Sequence, residues 1–309
     1  MNKRNILKYI SYSIGCGIAF SYSLKLTDVN MKMAVAGLLG QVTVDFLFHP
    51  IELVNTRTKY FFMEKLKTLT IAKRILNTTG LKGFYRGGSV TILGSSFAGF
   101  AYFYFYKRIK ESLKKMLEKD KSLFFLAYSL SSVVSEIIVY VFYYPFDLIK
   151  TRILCGQNDY KNFTDGMRQI CDKNQIKKSF KNLYTGFLPS LLLSTTSISL
   201  TMFTFEISRD FYANKKNILS EEVSGIDYFK CALISGIITS FSLNFLEVYT
   251  IQKMIHGEKY TFKTFIKPAH FMQSLTSGIL ARNLYCVFYT IVIFSPQVSY
   301  HRFRFTPTF

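Results

Sequence analysis

Acidic residues are scarce in this chain of 309 residues: 19 Asp and Glu stand against 39 Lys and Arg, a formal net charge of +20 at pH 7. Histidine is scarcer, and His49, His256, His270 and His301 form no HExxH or paired arrangement. An isolated histidine at a helix end is usually structural. The cysteines, Cys16, Cys155, Cys171, Cys231 and Cys286, are odd in number and show no CxxC spacing, so they define neither a disulfide framework nor a metal site. No nucleophile–base pair, metal-ligand set or phosphate-binding loop is present, which argues against an enzyme.

Apolar residues, by contrast, are abundant. They make up 49% of the chain, with 17% aromatic, and they are clustered in runs near 31–48, 91–106, 123–144, 188–205, 229–248 and 279–294. About 20 residues of helix cross a bilayer core, so six membrane helices are expected. On a soluble chain the basic excess would first suggest nucleic acid. Here the basic residues fall between the apolar runs, as in KRIKESLKKMLEKDK (107–121) and KNQIKKSFK (173–181). Such segments suit anionic lipid headgroups, and no nucleic-acid partner is expected. Residues 1–30 carry Lys3, Arg4 and Lys8 ahead of an apolar run interrupted by Gly15 and Gly17, with no small-residue cleavage site before Lys25. This extension reads as an interfacial helix, with an extra membrane segment as the alternative.

The chain also repeats itself. YPFDLIKTR, with Pro145, Asp147 and Lys150, has the pattern P-x-[D/E]-x-x-[K/R]: a helix breaker, then an acid and a base one turn apart. A membrane helix is expected to end there. HPIELVNTR, around Pro50, precedes it by 95 residues, and NFLEVYTIQ, with Phe245 in the proline position, follows 100 residues later. A second marker keeps a similar interval, 99 and then 92 residues: GFYRG ending at Gly87, LYTG ending at Gly186 and SLTSG ending at Gly278.

Two markers at matching intervals in three units resemble the mitochondrial carrier family, over nearly the whole chain after residue 30. The resemblance implies an all-α membrane protein of the inner mitochondrial membrane, multi-pass. It would have six transmembrane helices in three pseudo-threefold repeats (31–121, 122–216, 217–309), each with a short matrix-side surface helix. In the family, the acid of each odd helix pairs with the base of the next, closing the matrix end of a central cavity. The acids are here as Glu52, Asp147 and Glu247, but the base positions hold Asn55, Lys150 and Thr250. Only Glu52–Lys150 is expected as an ion pair. Asp147 and Glu247 should face Thr250 and Asn55. Lys253, one turn beyond Thr250, could rescue one of them, whereas Arg57 lies on the wrong side of its helix to do so.

The cytoplasmic ring looks weaker still. Phe205, Glu206 and Arg209 fit the family pattern, whereas Lys107 stands in the acid's place ahead of Lys110, and the sixth helix reads Pro296, Gln297 and Tyr300. The family's solute-contact positions fall near Gly94, Leu193 with Ser194, and Tyr285 with Cys286. None is charged; the nearest base, Arg282, reads equally as a solute contact or as a helix-start contact. The pairs Arg86–Gly87, Thr185–Gly186 and Ser277–Gly278 open the even helices, and the resemblance implies cardiolipin bound at these positive helix ends; no other cofactor is expected. Because the charge rings are incomplete, the expected function is that of a transport-silent accessory or structural subunit of a larger inner-membrane assembly, such as a respiratory complex. The alternative is an active carrier exchanging a small solute by alternating access.

Overall fold

The structure, a computed structural model, describes residues 29–116, 124–156, 160, 162–171, 176–218, 223 and 226–287. Residues 1–28, on which most of the N-terminal expectation falls, lie outside the described residues, as do Pro296, Gln297 and Tyr300. Among the described residues there is no strand.

Long and short helices alternate. The first long helix, α1 (Val29–Tyr60), is followed by the short α2 (Thr68–Thr79) and the long α3 (Gly88–Met116). The next unit runs α4 (Phe124–Cys155), the short α5 (Phe163–Ile170) and α6 (Ile176–Leu183), then α7 (Phe187–Lys216). The last unit runs α8 (Ile226–His256), the short α9 (Phe262–Phe265) and α10 (Pro268–Thr276), then a helix α11 described over 279–287. Three stretches, Leu130–Cys155, Lys177–Lys216 and Ile226–Lys259, are both long and apolar enough to cross a membrane. Helices α1 and α3, with 32 and 29 residues, match them in length. At 1.5 Å per residue each exceeds the roughly 30 Å of a hydrocarbon core, so the ends project into the interface.

The helix expected to end in the stretch up to Arg152 ends at Cys155, and it does so without breaking at its proline: α4 continues through Pro145, as α1 continues through Pro50 to Tyr60. A proline removes one backbone hydrogen bond, and the helix beyond it is held by what it packs against. Leu148, Ile149, Ile153 and Leu154 are buried. They meet two short amphipathic helices: α2 docks Ile71 and Ile75 against Leu53, Val54 and Leu154, and Gly166 of α5 lies against Ile149, closely enough that a Cβ there would approach Ile149 Cγ2 to 2.8 Å. Asn162 caps α5 by accepting from the Asp165 amide at 2.9 Å. The short helices thus wedge the ends of the long ones together.

Small residues set the approach of the long helices. A Cβ on Gly236 of α8 would stand 3.0 Å from the Val287 backbone of α11. At Gly94 of α3 it would stand 2.9 Å from the Tyr143 ring and 3.1 Å from Phe146 Cβ of α4. Gly94, expected at a solute-contact position, is therefore buried in a helix–helix seam: with no side chain, it lets two aromatic residues fill the space.

Candidate functional site

The C-terminal ends of α1, α4 and α8 converge. Glu52 of α1 and Lys150 of α4 form an ion pair. Glu247 of α8 accepts from Asn55 Nδ2 at 2.8 Å, as expected from the repeat, but it does not rely on a neutral partner. Lys59 Nζ lies 2.7 Å from its other oxygen, and the Arg282 guanidinium of α11 pairs with that same oxygen. The expectation of a single ion pair is therefore corrected. Lys59, 0% exposed, stands one turn beyond Asn55 on the same face and supplies the base that Asn55 lacks. A lysine buried this completely needs such a partner, because an uncompensated interior charge costs several kcal/mol.

The third carboxylate is arranged differently. Asp147 accepts from the Tyr140 hydroxyl of its own helix at 2.8 Å. The expected contact with Thr250 is not made, and the Thr250 hydroxyl is buried without a partner. Lys253 does not rescue Asp147 either, because it donates to the Tyr260 carbonyl at 2.9 Å. Arg57, as expected, stays away from the acids and donates to the Leu154 carbonyl at 2.7 Å. Other side chains tie the three helix ends through backbone carbonyls. Gln252 of α8 donates to Lys59 and Tyr60 of α1, both at 2.9 Å, and Arg152 of α4 donates to Met254 of α8 at 3.2 Å.

A threefold contact that sequence motifs do not reveal supports these ends. The residue before Pro50, Pro145 or Phe245 is His49, Tyr144 or Asn244. Each reaches the carbonyl just before the next marker glycine: His49 Nε2 lies 3.0 Å from the Arg86 oxygen, Tyr144 donates to Thr185, and Asn244 Nδ2 donates to Ser277 at 3.0 Å. A carbonyl only accepts, so His49 donates through Nε2–H. The three glycines that follow, Gly87, Gly186 and Gly278, all have positive φ (81°, 84° and 69°), the left-handed region that glycine enters without strain. Arg86–Gly87, Thr185–Gly186 and Ser277–Gly278 are thus placed alike at the starts of α3, α7 and α11.

At the opposite end, Lys107 pairs with Glu111 at 3.9 Å and Arg209 with Glu206, each within its own helix. Lys110 lies over the Tyr106 ring at 5.5 Å. Between the two ends are polar contacts that the sequence motifs do not announce. Asp45 of α1, 4% exposed, accepts from Ser95 of α3, from Tyr285 of α11 at 3.1 Å and from Gln41 at 3.2 Å. Glu136 of α4 accepts from Ser194 of α7. Of the expected contact positions, Tyr285 and Ser194 therefore meet carboxylates, whereas Leu193, half-buried, makes no polar contact through its side chain. A signal for Asp45 and Glu136 does exist in the chain: an acid inside an apolar run is costly in a membrane and marks function.

A family model described as "Mitochondrial carrier protein" matches residues 27–117 and 121–216. The chain belongs to the mitochondrial carrier family. Among its relatives, "Mitochondrial substrate carrier family protein A" of Dictyostelium discoideum is 28% identical over 209 residues, 66% of this chain and 62% of that protein. "Mitochondrial arginine transporter BAC2" of Arabidopsis thaliana is 30% identical over 158 residues, 50% of this chain and 52% of that one. "Mitochondrial glycine transporter" of Candida glabrata is 26% identical over 173 residues, covering 52% and 58%. The chain thus spans between half and two thirds of the length of these relatives. Carriers of this family are multi-pass inner-membrane proteins and transporters rather than enzymes, and the all-α arrangement of long and short helices is that of the carrier fold.

Proposed function

We propose that this chain exchanges a small solute across the inner mitochondrial membrane by alternating access. The observation that carries this reading is the difference between the two ends of the bundle. At the ends of α1, α4 and α8, the pairs Glu52–Lys150 and Glu247–Lys59 and the carbonyl contacts of Gln252, Arg152 and Arg57 run between different repeats, while Arg282 joins Glu247 from within the third. At the other end, Glu206–Arg209 and Lys107–Glu111 lie within single helices, and the ion pair between repeats among the described residues, Lys216–Asp227, joins only the consecutive helices α7 and α8. A bundle tied across its repeats at the matrix side, and less so at the cytoplasmic side, is what a carrier open to the cytoplasm requires. Glu52, Asp147, Lys150 and Glu247 then form the matrix gate. Lys107, Lys110, Glu206 and Arg209 remain as the material of the cytoplasmic gate, and Gly87, Gly186 and Gly278 mark where cardiolipin phosphates would sit.

The accessory-subunit reading is the less supported. It rested on incomplete charge rings, an uncharged set of contact positions, the missing third proline and the N-terminal extension, and the geometry answers the first at the matrix end by adding Lys59 and Arg282 to Glu247. Relatives whose names give a solute include transporters of arginine, glutathione and glycine. The test is reconstitution of the purified chain in liposomes: exchange of a labelled solute above the empty-vesicle control, lost in Arg282→Ala, is the expected result. No exchange with any solute, together with co-migration of the native protein in a respiratory assembly several times its mass, would overturn the reading.

A further inference from the structure

His49 carries a nitrogen that the threefold carbonyl contact does not use. Its side chain is 1% exposed, and Nε2 donates to the Arg86 carbonyl at 3.0 Å. The other ring nitrogen, Nδ1, is buried without a hydrogen-bond partner. One turn further along α1, Glu52 gives one oxygen to Lys150, while its other oxygen, Oε2, is also buried without a hydrogen-bond partner. These two atoms face each other at 3.8 Å, within ion-pair range and too long for a hydrogen bond. With Nε2–H given to the carbonyl, a neutral ring presents only a lone pair at Nδ1, which repels a carboxylate oxygen. A proton on Nδ1 turns that repulsion into a charge-assisted hydrogen bond after a shift of about 1 Å.

The other two repeats show what the carbonyl contact alone requires. Tyr144 and Asn244 stand in the same place, three residues before Asp147 and Glu247, and donate to the matching carbonyls. Neither a phenol nor an amide ordinarily takes up a proton between about pH 5 and 8, whereas an imidazole does. The titratable donor is in the first repeat, and of the three acids Glu52 is the one with an oxygen buried and unbonded.

The surroundings weigh on both sides. Glu52 favours a charged ring, and Asp45, one turn before His49 on α1, adds to it. Asp45 is itself held by Ser95 of α3 and Tyr285 of α11. Burial opposes the charge, as does Lys150 of α4, whose field Asp147 and Tyr143 share. The positive end of α3 opposes it too: a Cβ on Gly88 would stand 3.9 Å from the imidazole. Beside that end, the Tyr85 ring stacks on the imidazole at 6.1 Å, and the Arg86 guanidinium reaches toward Gly156 past the end of α4.

From this geometry we infer that His49 is a proton-operated latch of the matrix-end network. When Nδ1 takes up a proton, the imidazolium joins Lys150 on Glu52 and holds this end of the bundle closed more tightly. The added pair is present on the acid side of the imidazole range and is lost as pH rises through it, so the network loosens toward alkaline pH. The inference goes beyond the carrier reading and requires no solute.

The full chain, purified in mild detergent, tests it in two ways. Nuclear magnetic resonance of isotope-labelled histidine reads the protonation of each ring nitrogen, and His49→Asn identifies the His49 signal. A ring protonated at Nε2 alone near pH 8, and at both nitrogens toward about pH 5, is the expected result. Thermal unfolding followed by circular dichroism then compares the chain with His49→Asn and His49→Tyr. These borrow the donors of the third and second repeats, so they keep a donor for the carbonyl and remove the titrating nitrogen. The midpoint of the unsubstituted chain relative to either variant should fall by a few degrees from about pH 5 to about pH 8. In a Glu52→Gln background that fall should shrink to near zero. A His49 ring that stays neutral down to about pH 5 overturns the inference. So does a ring that titrates while the midpoint difference stays flat, because the proton would then do nothing for the network. A fall that survives Glu52→Gln undiminished also overturns it, by placing the proton's partner elsewhere. Neither measurement involves transport, so liposomes that exchange nothing would count against the carrier reading and leave the latch standing.

Discussion

Lys150 and Lys59 are both buried bases on carboxylates, yet they differ in what each leaves behind. Lys150→Met keeps most of the side-chain volume but strips the paired lysine from Glu52, in a neighbourhood that also holds Asp45 and Asp147. Removing one partner of a buried pair costs about 3–5 kcal/mol. Lys59→Met leaves Glu247 still paired with Arg282 and still accepting from Asn55. The second loss should be smaller, about 1–2 kcal/mol, comparable to one charged hydrogen bond. With a few degrees of midpoint per kcal/mol, Lys150→Met should lower the unfolding temperature by on the order of 10 °C, and Lys59→Met by only a few degrees. Cys155 and Cys231 are buried free thiols, so a thiol-reactive fluorophore added to the protein in mild detergent reports unfolding directly. A loss for Lys59→Met equal to or greater than that for Lys150→Met would refute the reasoning, since it would mean that Arg282 does not back up Lys59.

Three further outcomes are expected. Gln252→Leu removes the donor to the Lys59 and Tyr60 carbonyls and should cost about 1–3 kcal/mol in the same melting assay. Tyr144→Phe deletes only the hydroxyl given to Thr185 and should cost about 1 kcal/mol, with the ring packing against Phe187 retained; a neutral result would mean that the threefold carbonyl contact contributes nothing in the second repeat. Gly186→Ala and Gly257→Ala both place an L residue at positive φ, a strain of about 1–2 kcal/mol. Only the first also brings a Cβ to 3.2 Å from the Met254 backbone nitrogen, so it should be the more damaging of the two.

How much of the site is legible in the sequence depends on whether a contact is local. Glu52 and Lys150 can be matched from the sequence alone because each sits at a fixed offset from a proline in a repeated motif, and the repeat tells which helix follows which. Lys59 cannot be matched that way. Its role depends on α1 continuing past Asn55 for another turn and on α8 and α11 being close enough for Glu247 and Arg282 to meet it. Gly94 misleads for a related reason: counting from Gly87 gives a height along the helix, but rotation and neighbour decide whether a position faces a cavity or the Tyr143 and Phe146 rings. The triad of His49, Tyr144 and Asn244 escapes notice because imidazole, phenol and amide share no motif, although a carbonyl accepts equally from each.

The sequence by itself determined that this is a helical membrane protein of three related units. Apolar runs of membrane length, and markers repeating at intervals near 95 and 100 residues, are properties of the chain that no packing can alter. Only the tertiary structure decided which charges meet: that Glu247 holds two bases, that Asp147 turns to Tyr140, and that Asp45 and Glu136 lie among neutral donors. The physical reason is range. A helix forms from contacts three and four residues apart, whereas an ion pair between helices depends on their rotation, and a turn of about 100° per residue carries a neighbouring side chain out of reach.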